Sequence, residues 1–414
     1  MSRSPRSGAL IGGLAAAALT ASLIAVAGVA AGAAKPPAGP RVSGPRSPLA
    51  GNVTFTFHAK RGSRFRCSVD RPKLHRCPAV YRITLAAGAH VLRVRSVAPG
   101  GAVSRLTVVR INVREPLPSA GSVVARIPIE NGPMGLAFTG GALFVTQHEG
   151  QAVVRVDPAT NTVSGRVSVV AGSADQPGRL AVGDGQLWEV TYSGVPGAAV
   201  RIDPATLDVL QRISLPGMLC CTVAVSTGSL WLSAPDNNVV YRVDPASGNV
   251  IASIALANPG LGVLGGGALW ATSGNDVVRI DPATNAVSAR IAAPEGAWVE
   301  AYAAGSVWLS TSRGLARLDP ATNKITAQIP IAGGCFFFAF DGTSVWTAGV
   351  GDGHAGLWRI DAGSNTVTGF VPLEPAARDA IGDVAFGAGA VWATLFSGRN
   401  GNTVVRVAPS ATRS

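Results

Sequence analysis

An all-β fold dominated by a seven-bladed β-propeller is predicted by three observations in the sequence. The turn V-V-R-V-D-P-A-T-N-T-V (Val153 to Val163) returns as V-V-R-I-D-P-A-T-N-A-V (Val277 to Val287), and in looser form four more times. A second motif, ending in L-W or V-W, recurs in step with the first. The 51 glycines and the lack of long helical periodicity after the N-terminus favour short strands joined by tight turns. Repeats of about forty residues with four strands each are typical of propeller blades.

The N-terminal segment, residues 1–33, has the pattern of a secretory signal peptide. Arg3 and Arg6 precede an apolar run from Ala9 to Ala31, and Ala31-Gly32-Ala33 offers small residues for cleavage. An uncleaved membrane anchor is the competing interpretation because the run is long, although its alanine and glycine content makes it weakly hydrophobic. The sequence has no second segment that could span a bilayer, so we expect the protein to be secreted or associated with the cell envelope.

Charge is distributed unevenly along the chain. From Lys35 to Glu115 there are 16 Lys and Arg residues and two acidic residues, whereas from Pro116 onward 17 Lys and Arg face 21 Asp and Glu. A basic segment of this kind attracts polyanions such as wall polymers, anionic lipid head groups or nucleic acid. We expect an anionic envelope polymer as the partner, and not nucleic acid. A solvated arginine-rich surface without a partner is the alternative.

A small strand-rich domain is predicted for residues 49–116, after a proline- and glycine-rich linker at residues 34–48. Its strand-like runs alternate apolar and polar residues, as in V-L-R-V-R-S-V, so that one face is buried and the other is wet. The predicted strands are Val53 to His58, Arg64 to Val69, His90 to Val97 and Leu106 to Val113.

This segment resembles a family of bacterial immunoglobulin-like domains that are common in exported multidomain proteins. The resemblance is carried by F-R-C-S-V-D (Phe65 to Asp70), Cys77-Pro78, Tyr81 and G-A-H-V-L-R-V-R-S-V (Gly88 to Val97), and covers about one sixth of the chain. It implies a β-sandwich with a Cys67–Cys77 disulfide, a structural role for His90, and a spacing, display or tethering function. A domain this short has a modest core, and such a crosslink stabilises it by up to ~3 kcal/mol.

Seven repeats are predicted between residues 117 and 414. The Asp of each D-P-type turn lies at Asp157, Asp203, Asp244, Asp281, Asp319 and Asp361, at spacings of 46, 41, 37, 38 and 42 residues, and Ala408 takes the seventh place. The aromatic positions of the second motif are Phe144, Trp188, Trp231, Trp270, Trp308, Trp346 and Trp392. Each repeat then comprises four strands, with the aromatic residue in the second and the Asp at the end of the third.

The repeated turn has a physical explanation. Its Asp accepts hydrogen bonds from the backbone that follows, its Pro presets φ for a type I turn, and Asn161 or Gly248 tolerates the left-handed conformation. The seventh repeat lacks a fourth strand, but Ser122 to Ile129 matches the fourth strands of the other repeats. We therefore predict that this N-terminal strand completes the last blade beside Thr403 to Val407 and removes the free sheet edges.

The repeat arrangement resembles secreted bacterial propellers of the YVTN and YncE-like type, and also the streptogramin lyase-like propellers. The motifs x-R-[VIL]-D-P-A-T-N and G-x-L-W carry the resemblance. The lyase family suggests a catalytic histidine late in the propeller, in a P-H-[AG]-I context. The corresponding places here read Gly333 to Phe338 and Ala380 to Val384, without histidine, so a positioned base for elimination is missing there.

Candidate site residues are those that are not repeated. Seven arginines at the same place before the D-P turn, and the tryptophans, indicate framework. Unique polar residues in loops at one propeller face are candidates for ligand binding, with solvated loops as the alternative. The candidates are His148, Glu149, Trp298, Glu300, Asp352, His354, Arg378 and Asp379, with Asp175, Gln176 and Arg313 as further loop residues.

The remaining cysteines are Cys220, Cys221 and Cys335. A vicinal Cys220–Cys221 disulfide with one buried free thiol is predicted, since Cys220 and Cys335 fall nearly opposite each other across the ring. A soft-metal site with Met218 is the alternative. No zinc spacing, phosphate loop or Ser-His-Asp signature is present, so we expect no cofactor and no metal.

These observations predict an exported binding or scaffold protein. The propeller face would present a site for a ligand or protein partner, and the basic domain would tether the chain to anionic envelope material. The alternative is a lyase- or hydrolase-type enzyme that uses carboxylates and histidines at the channel mouth.

Overall fold

The computed structural model describes residues 36–170, 176–193, 196–226, 228–331, 334–375, 381–396 and 402–411. The chain divides into two compact units, Met1–Glu115 and Pro116–Ser414. In the described residues, strands form nearly all of the regular structure, as the sequence predicts, with one short 3-10 turn at Pro235–Asn237. In the described ranges, no helix has the length and apolar character needed to cross a membrane.

The first unit contains a three-stranded sheet in the order β1-β2-β5 and a four-stranded sheet in the order β4-β3-β6-β7. Its core includes Phe55, Leu92 and Ile111, which are almost completely buried, together with the Cys67–Cys77 disulfide. The strands are β1 (Arg41–Ser43), β2 (Gly51–His58), β3 (Arg64–Val69), β4 (His75–Cys77), β5 (Val80–Leu85), β6 (Gly88–Val97) and β7 (Thr107–Val113).

The segment predicted as a linker, residues 34–48, contains a short strand. Strand β1 lies inside it and pairs antiparallel with β2, with Arg41 opposite His58 and Ser43 opposite Thr56. Prolines around this segment cannot donate backbone hydrogen bonds, but Arg41–Ser43 contains none, so three residues can pair with an edge of the sheet.

The second unit contains seven four-stranded antiparallel sheets. Six follow the chain in simple up-and-down order. Their strands are β9 (Pro133–Thr139), β10 (Ala142–Gln147), β11 (Ala152–Asp157) and β12 (Thr162–Ser168); β13 (Gln176–Gly183), β14 (Gln186–Ser193), β15 (Gly197–Ile202) and β16 (Val209–Leu215); and β17 (Cys220–Ser226), β18 (Ser229–Ala234), β19 (Val239–Val243) and β20 (Val250–Ala255). They continue with β21 (Pro259–Gly265), β22 (Ala268–Ser273), β23 (Asp276–Asp281) and β24 (Ala286–Ala292); β25 (Trp298–Ala303), β26 (Ser306–Thr311), β27 (Gly314–Asp319) and β28 (Lys324–Pro330); and β29 (Cys335–Phe340), β30 (Ser344–Gly351), β31 (His354–Asp361) and β32 (Thr366–Pro375).

The seventh sheet joins the two ends of the unit. It has the order β33 (Ile381–Gly387), β34 (Ala390–Leu395), β35 (Thr403–Pro409) and β8 (Gly121–Pro128). Val404 lies opposite Ile127, and Val407 lies opposite Val123. The predicted pairing of the N-terminal strand with the last strand is therefore confirmed.

The first strands of the seven sheets contact one another in cyclic order. β9 contacts β13, the contacts continue through β17, β21, β25, β29 and β33, and β33 returns to β9. These strands form an inner rim, and each sheet extends outward from it. We use the term channel mouth for the end of the rim where the first strands begin.

The repeated aromatic residues are buried between adjacent sheets. Trp392 packs with Leu143 and Val145 of the first sheet, and Trp188 packs with Leu230 and Leu232 of the third. The six tryptophans of the repeat and Phe144 are at most 1% exposed. Their framework role, expected from the repetition, is explained by this packing.

Five of the seven repeated arginines fasten their sheet to the backbone of another sheet's turn or strand end, namely Arg155, Arg242, Arg317, Arg359 and Arg406. The guanidinium of Arg317 lies over the Trp308 ring and donates from Nη1 to the Ala362 carbonyl at 2.7 Å. Arg406 makes the corresponding contact with the Pro158 carbonyl at 2.6 Å. Where this bond forms, the repeated turn is both a hairpin and an acceptor for an arginine of another sheet, which gives one physical reason for its repetition.

The turn has the predicted hydrogen bonds. In the first sheet, the Ala159 N–H donates to Asp157 Oδ1 at 2.8 Å, and Asn161 is left-handed with φ of 57°. These backbone donors lower the pKa of Asp157, and the equivalent hydrogen bonds lower the pKa of Asp244 and Asp319.

Candidate functional site

Every first strand on the inner rim is irregular. The antiparallel register with the second strand shifts near the beginning of all seven first strands. The shifts leave Glu300, Phe337 and Asp383 outside the regular pairing, and Arg179 directly follows such a shift. A bulge redirects side chains that a regular strand would place in the sheet packing, and bulges are frequent beside functional sites.

Three of these residues form a charged cluster, which we define as Arg179, Glu300 and Asp383. They come from the second, fifth and seventh sheets. Burial raises the pKa of both carboxyls, and the Arg179 guanidinium lies close enough to both to oppose that rise. The Arg179 guanidinium is also 5.2 Å from the Phe337 ring centroid, a cation–π distance. The rim therefore holds two carboxyl groups and one guanidinium group at one place.

Glu300 is the most perturbed carboxyl of the cluster. The residue as a whole is half-buried, and its carboxyl group is away from solvent. The Ser310 hydroxyl donates to Oε1 at 2.8 Å, and the Phe337 backbone N–H also donates to the carboxylate. Burial raises the pKa of Glu300 to about 7, against the opposing effects of Arg179 and these two donors. Its proton is therefore exchangeable near neutral pH.

Asp383 is held rigidly. Its Oδ2 accepts from the Leu136 N–H at 2.9 Å, and its Oδ1 accepts from the Val384 N–H at 2.8 Å. The residue is buried, and burial raises the pKa of its carboxyl despite Arg179 and the two backbone donors. The bond to Leu136 also connects the seventh sheet to the first.

Phe337 has a strained backbone. Its φ of 57° lies in the left-handed region, which is uncommon for a bulky side chain. This conformation places the ring under Arg179 and the N–H toward Glu300. Strain of this kind persists only where the surroundings enforce it, and it concentrates at binding sites.

Cys335 adjoins the cluster from the same strand as Phe337. It is a buried free thiol, and burial raises its pKa to about 12, with Glu300 adding to the effect. Such a thiol stays protonated at neutral pH and is a poor nucleophile or metal ligand. In the described ranges, no group of three or more His, Cys, Asp or Glu side chains could hold a metal ion.

An apolar cavity opens beside the charged cluster. It has a volume of about 470 Å³ and is bounded by the sixth and seventh sheets together with Met134 of the first. Phe336 is 48% exposed at this cavity, which is unusual for a large aromatic residue. A smaller cavity of about 100 Å³ reaches Arg179 and Asp383 and shares Met134, Phe337 and Gly382 with the apolar one. The lining of the larger cavity is Met134, Gly334, Phe336, Phe337, Ala348, Gly349, Val350, Ala355, Ile381, Gly382 and Phe396.

The structure does not bring the other predicted candidates together at one site. Trp298 is 40% exposed and lines a cavity of about 210 Å³ with Met218 and Cys220. The His148 ring nitrogen lies 3.0 Å from the Pro177 carbonyl, and the Glu149 N–H donates to the Asn131 carbonyl at 3.1 Å. These contacts are to loop and strand-end backbone.

Asp352 lies in the tight turn between β30 and β31, and His354 is the first residue of β31. Asp352 and Gly353 both have positive φ, as this type of turn requires, and the Asp352 carboxylate accepts from the Leu117 N–H at 3.2 Å. His354 Nδ1 lies 3.1 Å from the Asp352 carbonyl. Arg378 and Asp379 lie outside the described residues.

Of the predicted candidates, Glu300 lies in the charged cluster. Arg179, Phe337 and Asp383 were missed by the sequence reasoning, which searched the loops and not the first strands. A signal was present, because each lies two residues before the alanine that pairs with a repeated tryptophan. The same place holds Gly135, Thr222, Leu261 and Val299 in the other four sheets. Unique polar or aromatic side chains at this repeated place would have identified Arg179, Phe337 and Asp383, whereas Glu300 lies one residue after it.

The cysteine predictions have separate outcomes. Cys220 is disulfide-bonded and Cys335 is free. The side chain of Cys221 lies outside the described residues, so the vicinal pairing stays a prediction.

Comparison with known proteins shows the fold of the larger unit. No known protein family's profile matches the chain, and no curated protein matches its sequence. Hydrazine synthase from Kuenenia stuttgartiensis superposes with a TM-score of 0.53 at 15% identity, over 69% of this chain and 98% of that chain. A chain in the mitotic checkpoint complex superposes with a TM-score of 0.56 at 9% identity, over 71% of this chain and 94% of that chain. Both are β-propeller proteins, so this chain contains a β-propeller.

Proposed function

We propose that the chain is an exported binding protein with a ligand site at the channel mouth of a seven-bladed propeller. The observation that carries this proposal is the apolar cavity of about 470 Å³ beside the charged cluster. A concave apolar site with a few convergent polar groups is the usual form of a small-ligand site. The ligand would place an apolar group against Phe336 and a polar head group toward Arg179.

The seven-bladed architecture is part of the proposal. It is supported by the seven four-stranded sheets, by the cyclic contacts of their first strands, and by the pairing of β8 with β35. The two-sheet first unit with its Cys67–Cys77 disulfide supports an immunoglobulin-like sandwich. Under the proposal, this basic unit tethers the chain to anionic envelope material after export.

An enzyme of the lyase or hydrolase type is the second candidate. It is favoured by Glu300, since a carboxyl with a pKa of about 7 could act as a general base near neutral pH. The two segments that correspond to the catalytic place of the lyase family contribute Phe337 and Asp383 to the site, and neither is a histidine. Glu300→Gln would abolish turnover of any such reaction while leaving binding of an uncharged apolar ligand intact.

The binding site is tested by native mass spectrometry of protein purified from its own secretion medium. We expect wild-type protein to retain a small molecule and the Phe336→Ser variant to retain at least about tenfold less of it. The reason is that an exposed aromatic contact contributes on the order of 1–2 kcal/mol to binding. Val209→Ser is the matched control, since Val209 is 45% exposed on the outer strand β16, away from the cavity.

Equal retention by the Phe336→Ser and Val209→Ser variants would place the ligand elsewhere. If wild-type protein retains nothing, the same variants are compared by thermal shift against a panel of amphipathic small molecules. The proposal is contradicted if no compound in the panel raises the melting temperature of wild type more than that of the Phe336→Ser variant.

A further inference from the structure

Three arginines face one another across adjacent strands of the first unit. In the sheet β4-β3-β6-β7, Arg76 lies directly opposite Arg66, and Arg66 lies directly opposite Arg95. All three side chains are exposed. We name these residues the arginine row. Since neighbouring strands lie about 4.8 Å apart, the row places three positive charges in a line across the sheet.

Further arginines extend the same face. Arg64 and Arg93 share it because they lie two residues from Arg66 and Arg95 along β3 and β6, and Arg110 of β7 lies opposite Val91. A groove of about 430 Å³ is lined by Arg64 and Arg76 beside the edge strand β4. The charged face therefore continues to a concave edge.

Within residues 36–115, no acidic side chain neutralises the row. Residues 36–115 contain two acidic residues, Asp70 and Glu115. The Asp70 carboxylate is engaged by His90 Nδ1 at 2.6 Å and by the Val91 N–H at 2.7 Å. Within that described range, no ion pair joins an acidic side chain to a member of the arginine row.

Like charges directly opposite each other destabilise a sheet. The row is nonetheless held in place, because the Cys67–Cys77 disulfide joins β3 to β4 on either side of Arg66 and Arg76. A fold that maintains such an arrangement without internal counter-charges favours an external anion.

We propose that the arginine row binds a linear phosphodiester polymer that lies across β4, β3 and β6. The inference rests on the tethering role in the proposed function and specifies its ligand. A phosphate presents oxygens in several directions, so two neighbouring guanidiniums can grip one group, whereas a single arginine fork already satisfies a planar carboxylate. A linear polymer also supplies successive charges to successive strands.

The composition of the face argues against a nucleic acid strand as the ligand. The positions on this face of β3, β4, β6 and β7 hold arginine, serine, valine, alanine and asparagine. Single-stranded nucleic acids are bound with aromatic side chains on which their bases stack. Contacts to the backbone alone suit a polymer without bases.

The experiment uses the full-length secreted protein and a fluorescent glycerol-phosphate oligomer, with binding followed by anisotropy. The test variant is Arg66→Gln/Arg76→Gln/Arg95→Gln. The matched control is Arg41→Gln/Arg82→Gln/Arg105→Gln, which removes the same charge from exposed positions outside the four-stranded sheet. We expect the test variant to weaken binding at least about tenfold at low salt, and the control less than about threefold. The slope of log binding constant against log salt concentration should become shallower by about 2, since each of the three lost phosphate contacts contributes about 0.7.

A melting temperature equal to or above that of wild type is expected for the test variant, because it relieves like-charge repulsion. If the test and control variants weaken binding equally, the polymer is held by net charge and not by the arginine row. The inference then fails, but the proposed tethering function is not contradicted. If the wild type binds none of the oligomer even at low salt, both fail. Tighter binding of a single-stranded oligonucleotide, a sulfated polysaccharide or anionic lipid vesicles than of the oligomer would overturn the choice of ligand.

Discussion

Replacing Ile127 with alanine is expected to lower the unfolding free energy of the propeller unit by about 2–5 kcal/mol, which is the usual effect of emptying a buried isoleucine site. Ile127 is 3% exposed and packs in the core between the last and first sheets, with Trp392 and Leu143. Its strand β8 is the segment that connects the N-terminal end of the unit to β35. Loss of packing there weakens the sheet in which the two ends of the unit meet.

The measurement is differential scanning calorimetry of the wild type and two variants. For Ile127→Ala, the midpoint temperature of the larger unit's transition should fall by roughly 4–20 °C, given about 2–4 °C per kcal/mol for a unit of this size. Val124→Ala is the control, because Val124 lies in the same strand and is 54% exposed, so its effect should stay within about 0.5 kcal/mol. Similar shifts for the two variants would show that β8 is a peripheral strand and not part of the packed ring.

The ring could be predicted because its determinants are local and repeated. Each D-P turn fixes a hairpin by its own hydrogen bonds, and each repeated tryptophan fills the same place between sheets. The N-terminal strand was assigned correctly for the same reason, since its residues match a repeated strand and the last repeat lacked one. Short strands without repetition were less predictable. Strands β1 and β4 have three residues each, and their pairing depends on tertiary contacts that no local pattern encodes.

The site was only partly predictable for a different physical reason. Glu300 attracted attention because it is a unique acidic residue, but its partners come from sheets that are distant in the sequence. Arg179 and Asp383 converge on Glu300 only because the first strands contact one another in cyclic order and their register shifts at these places. Loop residues such as His354 were attractive by type, yet their contacts serve a hairpin.

Glu300→Gln is expected to make the protein more stable than wild type above neutral pH, and to change little near pH 5. Burial raises the pKa of Glu300 from 4.5 to about 7 in the folded protein, so the folded state binds the proton more tightly than the unfolded state. Stability from this group is therefore fully present below about pH 4.5, declines between pH 4.5 and 7, and is lost above pH 7. This shift in pKa corresponds to about 3 kcal/mol of unfolding free energy.

Glutamine keeps an acceptor for Ser310 and Phe337 and removes the ionisation. Arg179, Asp383 and Cys335 all face this carboxyl and are present in both proteins. The informative quantity is therefore the difference in unfolding free energy between variant and wild type at each pH. The unfolding free energies of the variant and of wild type are measured by urea unfolding at pH 5 and at pH 8. We expect the difference in favour of the variant to be larger at pH 8 than at pH 5, by up to about 3 kcal/mol. Glu295→Gln, at an exposed residue just before β25, is the control and should show no such growth. An unchanged difference at the two pH values would mean that Glu300 ionises like an exposed carboxyl. The charged cluster would then be too well solvated to select a ligand by its head group.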